Sequence, residues 1–387
     1  MPLAQARAIW CRRRLMRKGQ PRLAGEAGVV RLNRIARRIG VCLWLAAATA
    51  LLAGHAALAA DVYPGKSGSR LASPEAAGWS SEGLARAQVH AKEIGSTEVM
   101  IVHRGVVVDA WGDIAARSEA YSVRKSVLSA LIGIAAAERK IDLAQTLAAL
   151  GIDDNPPLTA AERQATVGDL IKARSGIYHP AHYETPAMAR ARPARGSHPA
   201  GSFWYYNNWD FNALATIYEQ KTGEKIFEAV ARHLAAPLEM EDFRPGDGRY
   251  VTGDVSVHAA YPMRLSARDL ARFGLLFLHE GRWKDRQVVP AAWVAESTAA
   301  HSETGDGAGY GYMWWTRRGK PCFPEARPDD RCFFAAGNYG QYVLVIPALD
   351  LVVVNRVNTD ATRTRVRRGA FRELVALIAA AGEKAFR

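Results

Sequence analysis

Ser122-Val123-Arg124-Lys125 is an S-x-x-K sequence, a serine and a lysine three positions apart. On a helix those positions share a face, which lays the amine over the hydroxyl. The run from Ser122 to Lys140 sets Val127, Leu128, Leu131, Ile132 and Ile134 among Ala and Gly with few charges. Apolar nearly all round, it predicts a buried helix. Ser122 would then stand at a helix N-terminus, where unpaired N–H groups and partial positive charge favour an alkoxide and a neighbouring oxyanion. A lysine held against apolar surface has its charged form disfavoured, so it can accept a proton near neutral pH. Taken alone, S-x-x-K also describes a Ser N-cap followed by a surface Lys.

A second candidate is Tyr206-Asn207-Asn208, inside the aromatic run Phe203–Trp209. A tyrosine beside a lysine ammonium is pushed towards phenolate and becomes a plausible base. The alternative for this run is aromatic packing. A third segment is Ala335-Ala336-Gly337-Asn338-Tyr339-Gly340-Gln341. Other chemistries lack their patterns: there is no G-x-S-x-G, H-E-x-x-H, Walker loop or G-x-G-x-x-G, and no His/Cys/carboxylate cluster has metal spacing. Gly305–Gly311 fits no phosphate-binding pattern and reads as a loop before the aromatic segment Tyr310–Trp315.

With these three motifs in this order, the chain resembles the β-lactamase-related serine hydrolases: class C β-lactamases, penicillin-binding proteins and esterase-like relatives. In that family a Y-x-N motif opens a helix that ends in Gly. Counting back from Gly223 places the Tyr at Tyr206, a partner in moving the nucleophile's proton, and the Asn at Asn208, which positions substrate or the Lys. The third segment resembles the K-T-G or H-T-G strand, and it departs from the pattern: Ala335 stands where the Lys or His would. The resemblance implies an oxyanion hole from the backbone N–H groups of Ser122 and Asn338, a role that needs no particular side chain. Further matches are Leu170–Ile177 with Ser175-Gly176, Ala236-Pro237-Leu238-Glu239-Met240, Ser266–Leu270 and Gly309–Tyr312, so the likeness spans about residues 70 to 380. It implies a β-lactamase/transpeptidase-like α/β (α+β) fold, with an antiparallel sheet from N- and C-terminal strands, flanked by helices, and an inserted helical lobe.

The residue patterns supply those elements. Val99–His103 and Val106–Trp111 form a hairpin around Arg104-Gly105, and Cys332–Ala336, Gln341–Ile346 and Leu351–Val357 are strands. Thr216–Ala236, interrupted at Gly223, Ala267–His279 and Arg363–Ala381 have helical periodicity. The expected organisation is a leader over residues 1–60 and a hydrolase domain over 61–387, with a sheet lobe of about 61–120 and 245–387 around a helical lobe of about 121–244.

The formal net charge of +13 is concentrated in the leader, where residues 1–60 hold 11 Lys and Arg against one acid, Glu26. The remainder holds 40 basic and 37 acidic residues, so nucleic acid is not an expected partner. Arg31, Arg34, Arg37 and Arg38 precede the apolar run Ile39–Ala53, and Ala57-Leu58-Ala59 offers a cleavage site. These are the parts of an export signal; an uncleaved membrane anchor is the alternative. Met16 is a second possible start. After export Cys322 and Cys332 are the cysteines left, and an oxidising compartment favours a disulfide between them over two free thiols.

The expected protein is therefore a periplasmic or secreted serine hydrolase acting on an ester or amide, small molecule or peptide, with no metal or organic cofactor implied. Ser122 attacks the carbonyl, and Lys125 and Tyr206 take and return its proton. One rival is a D,D-peptidase or β-lactamase, which needs a cation for a substrate carboxylate; Arg192 or Arg195 would have to replace the Lys missing at Ala335. Another is a catalytically silent binding or sensor protein of the same fold. Trp204, Trp209 and Trp314-Trp315 are acyl-pocket walls or core, and His179, His182 and His198 read as solvated loop residues outside the catalytic set, with one of them lining the pocket as the alternative.

Overall fold

The computed structural model describes residues 62–64, 70–305, 307–317, 322–323 and 331–386. The leader, its cleavage site and its alternative as an anchor lie outside the described residues. Helix α1 (Ser81–Glu93) is capped by Ser80, whose hydroxyl accepts from the Gly83 N–H at 3.0 Å. Strands β1 (Glu98–His103) and β2 (Val106–Trp111) pair through Arg104-Gly105, both at positive φ (50° and 73°). That two-residue turn matches the twist of a hairpin. β3 (Ser118–Glu119) leads to α2 (Val123–Ala137), and α3 (Asn208–Thr222) ends at Gly223 in the left-handed conformation. β4 (Arg264–Leu265) pairs with β3, and α4 (Ala267–Leu278) follows. The rest of the large sheet and its last covering helix are β5 (Ser302–Glu303), β6 (Ala308–Tyr310), β7 (Trp315–Arg317), β8 (Phe333–Gly337), β9 (Gln341–Ile346), β10 (Leu351–Arg356) and α5 (Arg368–Ala381).

Eight strands form one sheet in the order β2-β1-β10-β9-β8-β7-β6-β5, with every neighbouring pair antiparallel. β1 lies against β10, Glu98 opposite Arg356 and His103 opposite Leu351, so strands from the N- and C-terminal parts of the domain pair directly within the sheet. The central strands are apolar on both faces, as a sheet covered on both sides requires. Met100, Val102, Val343, Val345, Val352 and Val354 face α4 and the helical part. Val99, Ile101, Leu344, Leu351 and Val353 face α1 and α5. The architecture is the expected α/β one, an antiparallel sheet from both chain ends, flanked by helices, with a helical insertion.

Three details differ from the sequence reading. The Gly305–Gly311 stretch is not simply a loop, since Ala308–Tyr310 form β6. The last helix begins at Arg368 rather than Arg363. The stretch Thr216–Ala236 divides into the end of α3, a short helix Ile226–Val230 and a π turn Ala231–Ala235. Cys322 and Cys332 are joined in a disulfide, with Cα atoms 6.1 Å apart.

Candidate active site

Ser122 is the N-cap of α2, and its hydroxyl makes no capping bond to the helix backbone. The oxygen is therefore available for chemistry. Lys125, one turn further on, is 1% exposed. Its Nζ lies 3.2 Å from Ser122 Oγ, 2.7 Å from Tyr206 Oη and 2.7 Å from Asn208 Oδ1. Tyr206 and Asn208 reach it because Asn207 caps α3, accepting from the Trp209 N–H at 3.1 Å, and so fixes the turn that carries both. Asn208 is itself oriented: its Nδ2 donates to the Tyr183 carbonyl at 2.7 Å, leaving Oδ1 to accept from Lys125. The structure thus brings Ser122, Lys125, Tyr206 and Asn208 together.

Burial pushes the Lys125 amine well below its ordinary range, and the Arg124 guanidinium next to it adds to the effect. Burial also raises Tyr206, against an opposing hydrogen bond with Ser122 and the positive charges of Arg124 and Arg368. The sequence reading held two pictures, a Lys125 amine whose charged form is disfavoured and a Tyr206 pushed towards phenolate beside a Lys125 ammonium. Burial disfavours both charges, so the favoured pair is a neutral amine and a neutral phenol. A neutral amine has two N–H donors and one lone pair. Asn208 Oδ1 can only accept, and takes one N–H. The contacts to Ser122 and Tyr206 are hydroxyls, either of which can donate to the lone pair. The hydrogen-bond geometry therefore permits proton transfer from Ser122 to Lys125, with the Tyr206 hydroxyl on the same amine.

β8 closes the other side. A Cβ on Gly337 would stand 2.6 Å from the Ala120 carbonyl oxygen and 3.1 Å from Tyr121 Cβ. Only glycine lets the strand end approach the chain leading into Ser122 this closely. Asn338 follows at once, and neither its N–H nor that of Ser122 has a backbone acceptor in a turn or loop among the described residues. Trp315 stacks on Tyr206 (centroids 5.5 Å apart, 29° between planes), and Trp204 packs edge-on against Trp315 at 6.0 Å.

The beta-lactamase family profile matches residues 82–377. The chain belongs to the beta-lactamase family. Solved structures of similar fold include a Bacillus anthracis protein proposed to be a 6-aminohexanoate-dimer hydrolase (21% identity, 76% of this chain and 82% of that chain covered, TM-score 0.58). Others are an octameric penicillin-binding protein homologue from Pyrococcus abyssi (16%, 79% and 78%, TM-score 0.57) and a class C β-lactamase (14%, 77% and 94%, TM-score 0.57). At these identities the likeness is one of fold, β-lactamase/transpeptidase-like. A search of curated proteins gave no match.

Within this beta-lactamase-family site, Ala335 is fully buried and brings no cation. Arg192 pairs with Glu184 at 2.5 Å and Arg195 with Glu162 at 2.7 Å, so both candidates for a replacement are already engaged by carboxylates. Trp209 and Trp314 are core, while Trp204 and Trp315 are partly exposed beside Tyr206. His179 and His182 are not solvated: His179 is buried against Asp154 at 3.3 Å and His182 against the Ser256 carbonyl at 3.0 Å. Ser175 donates to the buried Asp210 at 2.5 Å, and Asp210 also accepts from Asn207 at 2.9 Å, which ties the Ser-Gly segment to the turn bearing Tyr206. The sequence reading did not single out Arg124, Tyr183 or Arg365. Arg124 was visible inside the S-x-x-K motif; the other two had no local signal. Arg365 contacts the Asn338 side-chain oxygen and lies over the Tyr339 ring at 5.6 Å.

Proposed function

We propose that this protein is an exported serine hydrolase that cleaves an ester or amide through an acyl-enzyme on Ser122. The observation that carries the reading is the buried Lys125 amine within hydrogen-bonding distance of Ser122, Tyr206 and Asn208 together. Ser122 Oγ attacks the carbonyl carbon, and its proton passes to Lys125, with Tyr206 as a relay. The tetrahedral oxyanion is held by the N–H groups of Ser122 and Asn338. The same groups return the proton to the leaving alcohol or amine, and water then releases the acyl group from Ser122. Asn208 keeps the amine aimed. Export is supported by the leader's composition and by the Cys322–Cys332 disulfide.

Neutral acyl substrates suit the site better than carboxylate-bearing ones, because Ala335 supplies no cation and Arg192 and Arg195 are paired elsewhere. The test is turnover of 4-nitrophenyl acetate and butyrate by wild type and Ser122→Ala. The reading expects wild-type turnover and a loss of at least about a thousandfold in the variant. Equal rates in the two proteins would overturn it.

A further inference from the structure

We propose that Arg124 is the fixed cation of this site, a positioning residue that sets the protonation of Lys125 and Tyr206 and steadies the segment that orients Asn208. The proposal rests on the hydrolase reading above. Arg124 is fully buried in the first turn of α2. A charge in such a place is costly and is ordinarily matched by a carboxylate. Here Nη1 donates to the Tyr121 carbonyl at 3.1 Å, while Nε and Nη2 have no hydrogen-bond partner among the described residues. The guanidinium instead sits 4.9 Å from the ring centroids of both Tyr183 and Tyr261. Two aromatic rings attract a cation without cancelling its charge. The carboxylate that acts on this cluster, Glu119, bears on the Tyr183 phenol and is itself paired with Arg249 at 3.1 Å, so a net positive potential persists at Arg124. An arginine in a protein keeps its proton, which makes that potential permanent.

The buried amine of Lys125 is the next residue in the chain. Around it and Tyr206, α2 presents Ser122 and Arg124, while the turn into α3 presents Tyr206 and Asn208, with Phe211 at 4.4 Å from the amine. Tyr310 and Trp315 pack on the Tyr206 ring from β6 and β7, and Tyr261 stands behind Arg124. Arg368 acts on Tyr206 from the start of α5. Asp210, on α3, acts on Tyr310, and burial holds its own carboxyl well above the usual range, which favours the neutral acid. The charge next to Lys125 is thus positive. A second positive charge on Lys125 is disfavoured, and negative charge developing at Tyr206 is favoured.

The second role is geometric. Tyr183 adopts a left-handed backbone (φ 67°), and its carbonyl receives the Asn208 amide. With its ring on the Arg124 guanidinium, the segment that aims Asn208 at Lys125 is anchored to α2 itself.

The experiment compares wild type, Arg124→Met and Arg124→Lys through kcat/KM pH profiles on 4-nitrophenyl butyrate and the pH dependence of fluorophosphonate labelling. Arg124→Met fills the space without the charge. Its acid limb should move up by about one pH unit or more, with activity recovering towards wild type at high pH. Arg124→Lys keeps a cation and should hold the wild-type midpoint. A Met variant that loses activity equally at every pH, with its midpoint unmoved, would reduce Arg124 to packing and overturn the proposal. If Arg124→Met does not fold, Arg124→Lys decides: an upward shift of its midpoint contradicts the assignment. A label on Ser122 with unmoved midpoints fails Arg124 alone, whereas absence of labelling at Ser122 in wild type fails the hydrolase reading beneath it.

Discussion

At Lys125 three oxygen atoms from two distant segments converge on one buried nitrogen, and this convergence makes the residue predictions sharp. Because burial depresses the Lys125 amine, its free base is favoured at pH values below an ordinary lysine's. kcat/KM should therefore rise as pH rises through the folded-state Lys125 value and level off above it; a flat profile from pH 5 to 10 would contradict a titrating amine. Lys125→Ala and Tyr206→Phe should each reduce turnover by orders of magnitude. Ser122→Ala should unfold at nearly the wild-type temperature, because the hydroxyl makes no capping bond whose loss would cost the usual 1 kcal/mol or so. Ser122 and Lys125 were legible because they are one helical turn apart, and Tyr206 and Asn208 through the family resemblance, whose Y-x-N motif is placed by counting back from Gly223. Arg124's setting was not, since its buried position between Tyr183 and Tyr261 depends on segments far along the chain.

Between elements, the site depends on how closely β8 approaches the start of α2. Gly337→Ala would drive a methyl group into the Ala120 carbonyl at 2.6 Å. The strand end must then withdraw, carrying the Asn338 N–H away from Ser122. The variant should lose kcat far more than KM on the same ester, and wild-type kcat would show that the approach is irrelevant. The disulfide spans a sequence separation of 10 and staples the connection that enters β8. Its removal should cost about 2–3 kcal/mol in denaturant unfolding. The elements themselves were largely readable. Continuous apolar, Val-rich runs such as Leu351–Val354 and the Arg-Gly turn leave little choice of structure. β6 escaped notice because Gly309 and its Gly neighbours give no alternation of apolar and polar residues, and pairing to β7 decides its conformation.

For the whole molecule, the segment before α1, the C-terminal residues and the sheet are joined around Trp79, His103 and Phe386, whose rings pack edge to face at 5.3–5.5 Å. Trp79 Nε1 donates to His103 Nδ1 at 3.3 Å, which requires that nitrogen unprotonated. Burial, and then the charge of Arg104, pushes His103 down to about 4 from 6.5. The unfolded chain binds this proton first, so the contribution is present above pH 6.5 and is lost as pH falls towards 4. Urea unfolding at pH 7.5 and 4.5 should show wild type losing more stability than His103→Phe; equal losses would remove His103 from the account. The substrate preference belongs to the whole cleft. Without a cation at Ala335, a chromogenic cephalosporin should have a lower kcat/KM than 4-nitrophenyl butyrate on the same preparation. The reverse order would place the carboxylate grip on another group, with Arg365 beside Asn338 the first to mutate. The most direct test of the central claim is fluorophosphonate labelling of the intact protein at neutral pH, with the adduct located by peptide mass spectrometry. The account predicts one phosphonyl group on the peptide containing Ser122, slowed sharply in Lys125→Ala and absent in Ser122→Ala; no adduct on wild type, or an adduct on another serine, would contradict it.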